Sequence, residues 1–244
     1  MKEVRDLCDL VLVGDHKDPS LLKLSSVETA ASLEKGVGVQ AAPVIVARDS
    51  NRPQTLSAIA TAYSLGLRNL MLAWGDRYHG VRPANVYDFP NLSTLISEAR
   101  GIATTAGLKV RILAPVDLRT LESSRGVRMA RSRLAAGADL LLAQPPTTDS
   151  KVTFKAHTRL LDDSGMRESV LLGVFPFRSA EDIARCEEFF GWNLPKSLYQ
   201  TAESGGGALS AEAARVVKEL RARNRPGVYV STRGAVRTAR ELLG

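Results

Sequence analysis

Seven near-continuous apolar runs, spaced at a steady interval, constrain this chain more than any other feature. They occupy residues 9–13 (DLVLV), 41–47 (AAPVIVA), 69–74 (NLMLAW), 109–114 (KVRILA), 139–144 (DLLLAQ), 169–175 (SVLLGVF) and 227–231 (GVYVS). Runs with so little polar alternation mark strands buried on both faces of a parallel sheet. Most of them start about 30 to 40 residues apart, the length of one βα unit. Helix-period segments lie between them at 55–64, 92–104 and 126–135. The last interval is longer and has room for two helices, 180–190 and 210–223.

Turn chemistry fits this reading. Gly66, Gly107 and Gly137 each fall where a helix should end before the next strand. Ser210 stands where an N-cap is expected, and residues 204–207 (SGGG) read as a joint between helices. No long linker divides the 244 residues. The expected fold is therefore one α/β domain over residues 1–244, a TIM-type (β/α)8 barrel. Only seven strands are evident, so an eighth is missing or supplied from elsewhere. An open barrel edge needs cover, because unpaired strand edges invite pairing. A homo-oligomer or a partner subunit is expected there.

Composition excludes several classes. Hydrophobic residues are 44% and charged residues 24%, which is ordinary for a globular protein. No apolar run reaches the roughly 20 residues of a membrane span, and the start of the chain lacks an apolar signal core. A cytoplasmic protein without a membrane partner is expected. Cys8 and Cys186 are far apart, outside any CxxC, and read as reduced packing residues. The net charge is +7. Its one basic concentration, from Arg215 to Arg240, includes Lys218, Arg221, Arg223 and Arg225, with Glu212 and Glu219 as acidic partners. That reads as a solvated helix face, and no nucleic-acid partner is expected.

The motif 36–41 (GVGVQA) matches G-x-G-x-x-A but leads into a strand instead of opening a helix, so it is not a dinucleotide fingerprint. His16, His79 and His157 are not spaced as a metal site, and no metal is expected. The strand ends carry more information. Asp15 and His16 follow the first run; Arg48, Asp49, Asn51 and Arg52 the second; Asp76 the third; Asp117 the fourth; Gln144 the fifth; Arg233 the last. In a parallel barrel such residues share one rim, where ligands bind.

The stretch 41–76 (AAPVIVARDSNRPQTLSAIATAYSLGLRNLMLAWGD) closely resembles the centre of methylenetetrahydrofolate reductases. Those enzymes carry a strand, an R-D-x-N-R segment, a helix, Gly-Ile-Arg-Asn and a strand ending in Gly-Asp. The resemblance continues through 136–139 (AGAD) to Gln144, through 173–177 (GVFPF), and to 231–233 (STR). It implies a flavin-bearing barrel that passes a hydride from NAD(P)H through FAD to methylenetetrahydrofolate, or a related reduced pterin, within one-carbon metabolism. It places Asp76 near flavin and pterin, where a carboxylate steadies a cationic iminium. It further implies pterin contact for Gln144, substrate contact for Arg233, and FAD phosphate contact for Arg133. Arg48, Asp49, Asn51 and Trp74 fall in the cofactor-binding segment.

Departures accompany the resemblance. The family's E-F-x-P-P strand, with its glutamate acid, has no counterpart here, so the missing strand and the missing acid are one observation. A truncated start would also produce it. The family's flavin-contacting Thr-Tyr appears as Gly14-Asp15, a strand histidine as Val44, and an arginine as Trp74. Asp15 and His16 are the candidates to supply the proton, since His16 has a suitable pKa untuned and Asp15 only if buried. An alternative reading follows from the same departures. It is a non-redox pterin-binding or accessory subunit that has lost flavin and acid.

Overall fold

The computed structural model describes residues 5–14, 24–75, 87–205, 207–223, 226–232 and 236–243. Seven strands form: β1 (Val11–Val13), β2 (Ala41–Val46), β3 (Asn69–Ala73), β4 (Arg111–Asp117), β5 (Leu140–Gln144), β6 (Val170–Val174) and β7 (Val228–Val230). The helices are α1 (Ser26–Val37), α2 (Arg52–Ser64), α3 (Leu92–Thr105), α4 (Ser124–Ala135), α5 (Thr153–Ser164), α6 (Ala180–Phe190), α7 (Lys196–Glu203), α8 (Ala208–Arg223) and α9 (Val236–Leu243). A 3-10 turn, Leu118–Glu122, follows β4. The strands keep chain order, and each registered pair is parallel. The fold class is α/β of the TIM type. Among the described residues there are seven strands and no eighth, and no helix is long and apolar enough to cross a membrane.

Two compact units share the chain. The first comprises Met1–Pro115 and Met129–Leu140, the second Val116–Arg128 and Leu141–Gly244. In the first, β2 pairs with β1 from Val11 against Ala41 and with β3 from Val44 against Met71. Ala41, Ala42, Leu70 and Leu72 are fully buried there, as strands covered on both faces must be. In the second unit β6 pairs with β5 and β7. An aromatic core lies beside it, with Phe175, Phe177, Ile183, Cys186 and Trp192 buried together. The Phe190 and Trp192 rings stack at 4.3 Å.

The seven strands fall on the seven apolar runs; six are shortened at one or both ends, and β4 starts two residues late but continues three residues past its run, to Asp117. Gly66, Gly107 and Gly137 all have positive φ, 91°, 67° and 110°, at the expected helix ends. The 36–41 motif also behaves as expected: Gly38 is the left-handed C-cap of α1, φ 72°, so the segment closes a helix.

Ser210 does not cap its helix. α8 begins at Ala208, because the Gly205 and Gly207 carbonyls already accept from Ala208 and Ala211. Four helices, α1, α5, α7 and α9, lie outside the sequence expectations. Of these α1 carried a visible start signal, Ser25 three residues before Glu28, and the Ser25 side chain accepts from the Glu28 amide at 3.2 Å.

Candidate functional site

In the first unit the ends of β2 and β3 bring four sequence candidates together. Parallel bonding runs past the strands, with Ala47 N donating to Ala73 O at 3.0 Å and Arg48 N to Trp74 O at 3.1 Å. This carries Arg48 beneath Gly75. Gly75 has φ 89°, and a Cβ there would stand 2.8 Å from Arg48 Cβ. Glycine is required both by conformation and by the close approach. Arg48 is 5% exposed, and its Nε donates to Asp49 Oδ2 at 3.1 Å. A buried guanidinium needs such a carboxylate, since an unpaired buried charge is strongly unfavourable. Asp49 itself sits in the left-handed region, φ 58°, at a cost of order 1 kcal/mol for a non-glycine residue.

Tyr87 closes this cluster, and sequence reasoning missed it. It bridges to Arg48 and Ser50 through the backbone, and its hydroxyl donates to the Gly75 carbonyl at 3.1 Å. Its ring stacks on Trp74 with centroids 4.6 Å apart and planes 2° from parallel. No motif announces Tyr87; it is one of two aromatics in 85–90 (NVYDFP). Next to it, Asp88 accepts from Arg52 N at 2.8 Å, and Arg52 also pairs with Glu98 at 2.8 Å.

Asn51 is the N-cap of α2. Its side-chain oxygen accepts from Gln54 N at 2.9 Å, and the Gln54 side chain returns to Asn51 N, completing a capping box. Arg133 on α4 donates from Nη1 to the Pro115 carbonyl. Burial lowers the pKa of its guanidinium. Asp117, expected after the fourth strand, is instead the last residue of β4; it belongs to the second unit, caps the 3-10 turn and pairs with Arg119 at 2.7 Å. Asp15, His16, Asp76 and Arg233 lie outside the described residues.

In the second unit Gln144 ends β5, followed by a polar loop, Pro145 to Val152. The Gln144 amide has no hydrogen-bond partner among the described residues. The loop is held from behind. Thr147 N donates to Gly173 O at 2.7 Å, and Glu212 Oε1 on α8 accepts from Ser150 N and Oγ at 2.8 and 2.9 Å. Thr147 Oγ1 and His157 Nδ1 on α5 are 2.9 Å apart. Burial pushes the His157 imidazole down to about 4, partly opposed by the Asp149 carboxylate, so the ring is neutral at physiological pH. Gly173 is tight as well: a Cβ would meet Ala143 O and the Tyr229 ring, each at 3.1 Å. Glu212, expected only as a partner for the basic helix face, does pair with Arg215 at 2.6 Å, but it also ties down this loop. Neither function of Glu212 beyond the helix, nor that of His157, had a local sequence signal, because their partners are 62 and 10 residues away.

The family profile for methylenetetrahydrofolate reductase matches residues 4–207. The chain belongs to the methylenetetrahydrofolate reductase family. Among solved structures, it is similar to an uncharacterised protein from Clostridium thermocellum described as binding two copies of 5-methyl-5,6,7,8-tetrahydrofolic acid. That likeness has TM-score 0.63 at 9% identity, over 99% of this chain and 84% of the other. A candidate phosphonomutase from Burkholderia cenocepacia J2315 aligns with TM-score 0.43 at 20% identity, over 80% of this chain and 75% of that one. Comparison with curated proteins yields no match.

Within this methylenetetrahydrofolate reductase family chain, one shared motif has a structural explanation. Asp139 of the 136–139 segment accepts from Arg100 Nη2 and from Ile112 N, both at 2.6 Å. Arg100 in turn donates to the Gly137 and Val110 carbonyls. The segment therefore fastens the start of β4 to the turn before β5.

Proposed function

We propose that this chain binds a reduced pterin, 5,10-methylenetetrahydrofolate or a relative, and takes part in its reduction to the methyl form with NAD(P)H. The family match over residues 4–207 carries this reading. The tetrahydrofolate bound by the Clostridium thermocellum neighbour agrees with it. Gln144 is the pterin contact in this proposal: an amide at a strand end offers both a donor and an acceptor, and here neither is used by another described residue. Asp76 is assigned to the developing iminium charge and Arg233 to the substrate. Asp15 or His16 is assigned to the proton that the family takes from its glutamate.

FAD fits the described residues poorly. The Asn51 oxygen is spent on its helix cap, one face of Trp74 is covered by Tyr87, and Arg48 is buried beneath Gly75 and paired with the exposed Asp49 carboxylate. Arg133, the cation expected at the FAD phosphates, points a guanidinium nitrogen at a backbone carbonyl. These contacts favour a second reading, a pterin-binding or accessory subunit without flavin.

One preparation tests both readings. Calorimetric titration with 5-methyltetrahydrofolate should show binding, and its absence would remove the pterin proposal. A visible spectrum with and without added FAD separates the two forms of it. A flavin band bleached by NADH supports the reductase; a protein that binds pterin but never yellows supports the accessory subunit.

A further inference from the structure

The loop after β5 is polar and yet buried. Thr147 is fully buried, and Thr148, Asp149 and Ser150 are each under a tenth exposed. The Thr148 hydroxyl is buried with no partner among the described residues, but the rest of such a loop must satisfy its polar groups within the protein. Asp149 does so locally, accepting from the amides of Lys151, Val152 and Thr153. Gly173 and Glu212 hold the backbone at Thr147 and Ser150. α5 holds the loop through two side chains: Thr153 Oγ1 accepts from the amides of Thr148 and Asp149, and His157 Nδ1 bonds the Thr147 hydroxyl one turn further along the helix. A neutral imidazole keeps one nitrogen as donor and one as acceptor, so either tautomer can hold the hydroxyl.

Between Thr147 and Gln144 stand Pro145 and Pro146. Each proline has a ring-fixed φ and no amide proton. Two fixed φ angles leave the segment few ways to relax, so the backbone position of Thr147 constrains that of Gln144. No hydrogen bond from another described residue orients the Gln144 amide.

We propose that His157 is a positioning residue for pterin binding, acting through Thr147 and the two prolines to fix the Gln144 amide. This rests on the proposed contact between Gln144 and the pterin. His157 does not touch the ligand in this proposal, and its effect is on binding geometry.

The test uses the full chain and calorimetric titration with 5-methyltetrahydrofolate, with thermal unfolding recorded for every variant. His157→Leu and Thr147→Val should each weaken Kd about tenfold, and the double variant should be no weaker than either alone, as for two ends of one interaction. His157→Asn, whose amide can replace the Nδ1 bond, should stay within about threefold of the wild type. A purely structural histidine predicts the reverse pattern, with a lower Tm and an unchanged Kd. Wild-type affinity in a folded His157→Leu, additive losses in the double variant, or failure of His157→Asn to rescue would each overturn the proposal. If His157→Leu does not fold, Thr147→Val decides alone. A wild-type protein that binds no pterin removes the functional reading itself, and this proposal with it. Binding by the wild type with unaffected variants removes only the positioning role.

Discussion

The ends of β2 and β3 and the loop after β5 carry the strongest sequence candidates, and the structure treats them in opposite ways. At β2 and β3 the candidate side chains turn to one another. Arg48 pairs with Asp49, Asn51 caps α2, and Trp74 stacks on Tyr87. After β5 the loop is held from behind, by Gly173, His157 and Glu212, while the Thr148 hydroxyl and the Gln144 amide have no hydrogen-bond partner among the described residues. A polar residue at a strand end is therefore weak evidence of a ligand contact until its own hydrogen bonds are assigned. The same motif can supply a self-contained structural cluster in one place and an uncommitted group in another.

The comparison can be broken most sharply at its two tight glycines. Gly75→Ala should destabilise by about 3 kcal/mol, combining left-handed strain with overpacking against Arg48. Gly173→Ala meets only the 3.1 Å contacts and should cost roughly half as much. Urea unfolding of the two variants decides, and equal losses would mean that the β2–β3 end is no tighter than β6.

Acid should act on the second unit through His157. Its folded pKa, about 4, lies below the ordinary 6.5, so between these values the unfolded chain binds the extra proton. Stability should thus be intact above pH 6.5 and fall as the pH drops towards 4, by on the order of 2 to 3 kcal/mol. His157→Asn should flatten that part of the profile in denaturation curves taken across pH 4–7. An unchanged slope would assign the acid sensitivity elsewhere.

Smaller effects separate a ligand contact from a structural one. Gln144→Ala should weaken 5-methyltetrahydrofolate binding about tenfold, or 1.4 kcal/mol, with an unchanged Tm. Asn51→Ala should do the opposite, lowering stability by about 1 kcal/mol through its lost cap and leaving pterin affinity as it was. Least of all, Tyr87→Phe should lose under about 1 kcal/mol, because it removes one hydrogen bond to Gly75 and keeps the stacking on Trp74. A large change in pterin affinity for Asn51→Ala would return that residue to the binding machinery.

Much of the architecture was legible in the sequence. The seven apolar runs became seven parallel strands, and Gly66, Gly107 and Gly137 ended helices as their positions suggested. The resemblance that led to the family rested on local strings such as residues 41–76 and 136–139. Less legible were α5 and α7, which begin without a side-chain cap, and the true start of α8, which glycine carbonyls set two residues before Ser210. The candidate site divides along the same line. Gln144 and Arg48 could be picked out from strand ends, but Tyr87, His157 and the loop-holding function of Glu212 could not.

By itself the sequence determined the strand rhythm, the α/β class and the family, because periodicity, turn glycines and contiguous motifs are local properties of the chain. Only the tertiary structure decided which polar groups are already spent. Arg48 meets Gly75 across 27 positions of sequence, Ser150 meets Glu212 across 62, and Tyr87 meets Trp74 across 13. Whether a donor or an acceptor remains for a ligand depends on such distant neighbours, which burial and hydrogen-bond geometry bring together and no local pattern encodes.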